Sequence, residues 1–286
     1  MIRRVKDIMV EDFIKIDALC RVGTIQEIAL KKGHDCFPVF EGDRIIGVLT
    51  THELIRAHSN RIAADAVTNK FEIIPFDANL WMAEEIMKKR HVNILLVKKD
   101  NEICGIVTRN LLCAELGKHF DLLTGLYKSD YIYYRAAELL KENRDFSIIF
   151  LDVNNFGHIN KTYGHVKGDL ILQEISILLK RSIPGEACLC RFAGDEFVVL
   201  VPHDIRESIA IANKLVDVVL SHKFQGNVLI TISAGLSGTK VYNKKLRGVY
   251  SIVTNIINTA SLASSKAKAE KNKISIAGNF KPGEIA

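Results

Sequence analysis

The chain has 286 residues, 48% of them hydrophobic and 25% charged, with a formal net charge of +6. That length allows two domains with a core each, and the composition is that of a globular protein rather than a disordered or fibrous one. No apolar stretch approaches membrane-spanning length, no apolar core follows the first residues as in a secretory leader, and the basic residues lack interleaved aromatics, so neither a membrane nor a nucleic-acid partner is expected.

From the N-terminus, residues 1–118 repeat at an offset of 58: Asp7 matches Asp65, Glu27 matches Glu85, Val39 matches Val97, Gly47 matches Gly105 and Thr50 matches Thr108. Each copy (about 1–58 and 59–116) reads as a short helix, an amphipathic helix (24–32 and 80–90), two strands around a turn (41–43 and 99–101) and a closing helix. A duplicated unit of this size stacks on its twin to bury a face that neither buries alone. Thr50 and Thr108 each stand at a strand-to-helix junction, where a hydroxyl caps the helix and can meet a phosphate. Glu53, one turn after Thr50, can accept from two ribose hydroxyls; its counterpart Leu111 cannot.

Residues 47–53 (Gly-Val-Leu-Thr-Thr-His-Glu) and 105–111 (Gly-Ile-Val-Thr-Arg-Asn-Leu) resemble the Gly-apolar-apolar-Thr pattern of CBS domains, and the whole half resembles a tandem CBS pair. The resemblance implies a regulatory cleft for an adenosyl ligand (AMP, ADP, ATP or S-adenosylmethionine) at Thr50, Glu53 and Thr108, with at most one well-formed site. The alternative is a structural or dimerising pair without a ligand. Residues 111–120 then read as a stiff helical connector.

In the second half, helical patterns over 129–142, 166–181, 205–221 and 249–269 interleave with strand patterns over 147–152, 187–192, 197–201 and 228–236. They predict an α+β domain with a mainly antiparallel sheet. The six cysteines are scattered through apolar runs, Cys188 and Cys190 at strand spacing, and read as reduced thiols of a cytoplasmic protein. Residues 191–197 (Arg-Phe-Ala-Gly-Asp-Glu-Phe) set two adjacent carboxylates, Asp195 and Glu196, on a hairpin tip. Such acids repel each other unless a cation or a proton lies between them. With Asp152 ending a nearby strand, they form a minimal oxygen-ligand set for a divalent metal.

Residues 121–127 (Asp-Leu-Leu-Thr-Gly-Leu-Tyr), the Asp152 strand, Asn160, residues 163–165 (Tyr-Gly-His), Gly168 with Asp169, residues 191–197 and residues 231–235 (Thr-Ile-Ser-Ala-Gly) follow one another as in the GGDEF-domain diguanylate cyclases. From about Phe120 to Ile276 the chain resembles that family. The resemblance implies a nucleotidyl-cyclase-like palm over 119–286 that condenses two GTP into cyclic di-GMP and pyrophosphate between the halves of a homodimer. Carried over residue by residue, Asp152, Asp195, Glu196 and the Val153 carbonyl would hold Mg²⁺ or Mn²⁺. Glu196 would deprotonate or orient the attacking 3′-hydroxyl. Asn160 and Asp169 would read guanine, Lys268 would neutralise the triphosphate, and Asn155, Phe156 and Gly194 would bring backbone close to the nucleotide.

Several positions depart from the family pattern. Ala193 replaces the first Gly of the hairpin, where a methyl narrows the backbone's approach and disfavours positive φ. Asn154 replaces an acid, Gly157 a lysine, and Lys161 an aspartate; the second basic phosphate contact falls at Asn272, with Lys271 or Lys273 as substitutes. Residues 184–187 carry neither charge of the family's product-inhibition motif, so no tight inhibitory product site is expected there. The competing reading is a catalytically silent GTP or adenine-nucleotide sensor that signals through a partner. A mixed guanine–adenine product is disfavoured by Asp169, which retains the guanine-reading acid.

Overall fold

The repeat is legible in the backbone of the first unit, Met1–Lys118. Its first copy runs through β1 (Ile16–Asp17), α1 (Val22–Lys32), β2 (Cys36–Glu41), β3 (Arg44–Thr50) and α2 (Thr51–Arg56). The second follows as β4 (Phe71–Pro75), α3 (Leu80–Arg90), β5 (Ile94–Lys99), β6 (Glu102–Thr108) and α4 (Arg109–Leu116). The computed structural model describes residues 3–240 and 248–278.

Each copy is a three-stranded sheet, β1-β2-β3 or β4-β5-β6, whose short leading strand the alternation pattern did not reveal. The copies are interlocked by exchanged leaders. Val10 pairs with Ile106 and Thr68 with Val48, each through two backbone hydrogen bonds of 2.9–3.0 Å. A Cβ on Gly105 would sit 2.6 Å from Met9 Sδ, and one on Gly47 2.6 Å from Val67 Cβ. These glycines of the repeat pattern therefore admit the other copy's leader. The expected connector is helical only in part: α4 gives way to a 3-10 turn over Gly117–His119, after which Phe120 bridges to Tyr127.

The second unit, His119–Ala286, contains β7 (Tyr127–Lys128), α5 (Ser129–Lys141), β8 (Ser147–Val153), α6 (Phe156–Tyr163), α7 (His165–Ser182), β9 (Cys188–Ala193) and β10 (Glu196–Val201). It continues with α8 (Ile205–Ser221), β11 (Ile232–Gly238), α9 (Val249–Ala269) and β12 (Ile274–Ile276). The strands form one sheet in the order β12-β11-β8-β10-β9-β7. β8 lies inside it, antiparallel to both β10 and β11.

Alternation along these strands decides what each face carries. Ile149, Leu151, Phe197, Val199, Ile232 and Ala234 join one core with residues of α7 and α8. Ile148, Phe150, Val198 and Leu200 join the other with residues of α5 and α9. The same parity puts Asp152, Glu196, Ser233 and Gly235 toward α5 and α9.

Four elements depart from expectation, among them the short edge strands β7 and β12, which the strand patterns did not include. β11 starts at Ile232 rather than 228, because Val228 and Ile230 are buried in the α7–α8 core ahead of the ladder. The short α6, between β8 and α7, was not foreseen.

Helix α9 lies very close to β11. A Cβ at Gly235 would stand 2.1 Å from both the Ala260 carbonyl oxygen and the Ser264 amide nitrogen, and Ser264 Oγ donates to the Ser233 carbonyl at 3.1 Å. Both obstructing atoms are backbone, so a methyl there must displace the helix. Gly235→Ala is expected to lower unfolding stability by about 2–3 kcal/mol in urea titrations, as overpacking does. A loss below about 0.5 kcal/mol would show that α9 does not depend on this approach.

Candidate active site

Residue Asp152 is the last residue but one of β8, and Glu196 is its register partner at the start of β10. Both therefore emerge on the α9 side at the same end of the sheet. Asp195 stands beside them on the two-residue tip, and its carbonyl accepts from Val153 N–H at 3.3 Å, tying the strand end to the tip. Gly194 supplies the tip's left-handed residue at φ +48°. Ala193 is not among the positive-φ residues, so the conformational objection to alanine there does not apply. It ends β9 as the pairing partner of Glu196.

The tip is braced from below. Arg191 Nε donates to the Gly194 carbonyl at 2.8 Å, and its Nη1 meets Asp121 Oδ1 at 2.9 Å. Asp121 also accepts from Thr124 N–H at 2.9 Å and Thr124 Oγ1 at 2.6 Å. Burial works to raise the Asp121 carboxyl, but these bonds from Thr124 and Arg191 outweigh it and hold it below its usual range. Both motifs stand in the sequence, but a charge pairing 70 positions apart leaves no local signal.

Crowding of like charge marks the site. Burial pushes the Asp195 carboxyl up and the charge of Asp152 adds to it, against its own backbone N–H, Lys268 and Arg191. Burial likewise raises Glu196, with Asp152 and Asp195 adding and Lys268 opposing. The cation in contact is Lys268, one turn beyond Ser264 on α9, whose ammonium donates directly to Asp152 Oδ1. The close approach at Gly235 thus aims that helix face at the carboxylates.

The donor chemistry, carboxylate oxygens and the Val153 carbonyl at one strand end, is of the kind that suits a hard divalent cation. Among the described residues, no three His, Cys, Asp or Glu side chains are already gathered for a metal. Asn154 is drawn away from the acids, with Nδ2 donating to Thr231 Oγ1 at 3.0 Å and Oδ1 accepting from Ser233 Oγ at 2.9 Å.

Immediately after β8, Asn155 adopts φ +56° and caps α6, its carbonyl accepting from His158 and Ile159 N–H at 2.9 and 3.1 Å. The first amides of α6, Phe156 included, have no intrahelical acceptor and suit an anion. On the same helix Asn160 packs against α7. Its Oδ1 is buried without a hydrogen-bond partner, and a Cβ on Gly168 would lie 1.9 Å from it and 3.2 Å from Phe156 Cζ. Asp169 is exposed beside Gly168 inside α7.

Of the suggested lysine substitutes, Lys273 pairs with Asp217 at 2.7 Å, while Lys271 is exposed with φ +55°. At residues 184–187, Glu186 meets His203, an anionic rather than cationic feature.

In the first unit, Thr50 and Glu53 are occupied with each other. Glu53 Oε2 accepts from Thr50 N–H at 3.1 Å and from its hydroxyl, which closes a capping box at α2. Thr108 Oγ1 accepts from Leu111 N–H at 3.4 Å and caps α4. A cavity of about 600 Å³ lies elsewhere, at the hairpin ends of both copies between Lys15, Phe40, Ile45, Lys98 and Ile103; Thr50, Glu53 and Thr108 do not line it.

The diguanylate cyclase GGDEF-domain model matches residues 118–273, more than half of the chain, and the CBS-domain model matches 5–60 and 63–117. The chain belongs to the GGDEF-domain family. Diguanylate cyclase DgcS of Shewanella oneidensis is 35% identical over 107 residues, 36% of this chain and 36% of its own. Diguanylate cyclase A of Treponema denticola is 28% identical over 173 residues, covering 57% of this chain and 45% of that one. The GGDEF protein thus spans less than half the length of these curated relatives. Among solved structures, diguanylate cyclase SiaD of Pseudomonas aeruginosa in complex with its activator SiaC has a TM-score of 0.50 at 23% identity over 58% of this chain and 65% of that chain, a likeness of fold. No helix among the described residues is long and apolar enough to cross a membrane.

The seat of Asn160 on Gly168 yields a direct test. Gly168→Ala should displace Asn160 and shift its side-chain amide NMR signal, the helix preference of alanine offsetting part of the crowding against Asn160 and Phe156. An unmoved Asn160 signal would show that the amide does not depend on the missing methyl.

Proposed function

We propose that the chain is a diguanylate cyclase that joins two GTP molecules into cyclic di-GMP with release of pyrophosphate. The observation that carries this reading is the register that sets Asp152 opposite Glu196, with Asp195 on the adjoining tip and Lys268 in contact with Asp152. Strand register and helix approach meet there, which a purely structural hairpin does not require.

In each transfer a 3′-oxygen attacks the α-phosphorus of the second nucleotide. The new O–P bond forms as the bond to pyrophosphate breaks, and the hydroxyl proton leaves to a base. Glu196 deprotonates or orients that hydroxyl; without metal, burial and the charges of Asp152 and Asp195 raise its affinity for protons. Asp152, Asp195, Glu196 and the Val153 carbonyl would hold Mg²⁺ or Mn²⁺. When bound, the metal balances charge on the entering and leaving oxygens. Asn155, Phe156 and Gly194 bring backbone to the nucleotide, and Lys268 meets the triphosphate.

Asn160 and Asp169 read guanine, the buried amide oxygen of Asn160 finding its donor in the base. A site with such an unpaired group rejects a base that cannot pair with it by roughly 10²–10⁵. One domain holds one GTP, so two chains face each other as a homodimer. An adenosyl ligand on the CBS pair, at Thr50, Glu53 and Thr108, biases that assembly; binding there requires Glu53 to release Thr50.

The second reading, a silent nucleotide sensor, is favoured by one observation: Lys273 is engaged with Asp217, which leaves Lys271 as the remaining substitute for the second basic phosphate contact. Incubation of the purified chain with GTP and Mg²⁺, followed by chromatography, separates the two. Cyclic di-GMP is expected, and Glu196→Gln should reduce its formation by about 10²-fold or more. Absence of product, with and without adenine nucleotides, would contradict the enzymatic reading.

A further inference from the structure

The Lys268 ammonium lies directly on Asp152, the same carboxylate that the cyclase reading gives to the metal. Both side chains are partly open to solvent, 39% for Lys268 and 24% for Asp152, so the pair can exchange partners. Lysine carries a compact charge on a flexible four-carbon stem, unlike the fixed fork of arginine. Three carboxylates crowd this strand end, and Lys268 is the cation that all of them feel.

We propose that Lys268 is the resident cation of the nucleotide-free site: it occupies Asp152 until nucleotide and divalent metal arrive, and then transfers to the phosphates. This role rests on the cyclase reading of Asp152 as a metal ligand and goes beyond it, because it assigns an order to binding. An ammonium and a divalent cation repel each other on one carboxylate, so the metal must displace Lys268. Incoming phosphates offer the displaced ammonium a new partner. Metal and nucleotide therefore each raise the other's affinity, and the empty site takes up little metal on its own. The device also spares the three acids their mutual repulsion before substrate binds. It depends on α9 being pressed against β11 at Gly235, which keeps position 268 within reach of the strand end.

The test measures Mn²⁺ uptake by the nucleotide-free full chain, read from the loss of the free-ion paramagnetic resonance signal. Lys268→Gln should bind Mn²⁺ about three- to fivefold more tightly than wild type, the upper part of the range for removing one partly screened ion pair. Lys266→Gln removes the same unit charge from the same helix, but Lys266 pairs with Glu270 at 3.8 Å rather than with Asp152. Its Mn²⁺ affinity should stay within about twofold of wild type, as for any screened charge. Lys268→Met serves as a second charge-removing variant if the glutamine protein does not melt cooperatively.

Equal tightening by Lys266→Gln and Lys268→Gln would overturn the proposal, as would unchanged or weaker binding in Lys268→Gln, or no uptake by any of the proteins. Product formation by wild type is scored separately. Tighter Mn²⁺ binding in Lys268→Gln with no wild-type product keeps the resident cation and refutes the cyclase; product with unchanged Mn²⁺ affinity does the reverse.

Discussion

Repulsion among three carboxylates, imposed by strand register, is the constraint around which the second unit is built. Antiparallel pairing of β8 with β10 sets Asp152 opposite Glu196, and the two-residue tip adds Asp195. Nothing in hydrophobic packing calls for acids at a sheet end, and burial makes their charge costlier. The surrounding architecture offsets that cost. Arg191 reaches the tip carbonyl and Asp121, Val153 N–H ties the strand end to the tip, and α9 delivers an ammonium. These contacts hold the strand end, the tip and the ammonium in place beside the acids.

The two faces of the sheet divide the labour. One is sealed by α7 and α8 over a continuous apolar core. The other carries α5 and α9 and opens, at the end of β8, onto the acids. Small residues make this possible. Ser233 and Gly235 let α9 descend onto β11, and Gly168 leaves room for Asn160 between α6 and α7. Neither glycine has positive φ; each is required by what lies against it. In the first unit, Gly47 and Gly105 are used in the same way, and exchanged leaders make the two copies one structure.

Much of this was legible in the chain itself, because period-two and period-3.6 patterns are local. The offset of 58 recurs in the backbone, α3 and α8 have the expected bounds, and parity along β8 already puts Asp152 with Ile148 and Phe150. What escaped was long-range or too short to carry a period. β1 and β4 have two and five residues and join their sheets as parallel edges. The eight residues of α6 follow a left-handed Asn155 that a turn would equally use. The conformational part of the objection to Ala193 assigns it a freedom that this position does not use; Gly194 does. The bond between Arg191 and Asp121 joins separate motifs that only the folded sheet brings together.

The most direct measurement is a crystal structure of the chain grown with Mn²⁺ and a GTP analogue that cannot react, with the metal located by anomalous scattering. A manganese peak about 2.0–2.4 Å from carboxylate oxygens of Asp152 and Asp195, with Lys268 turned to phosphate, is the predicted result. Manganese elsewhere, with Lys268 still seated on Asp152 and the nucleotide unbound at α6, would contradict the account.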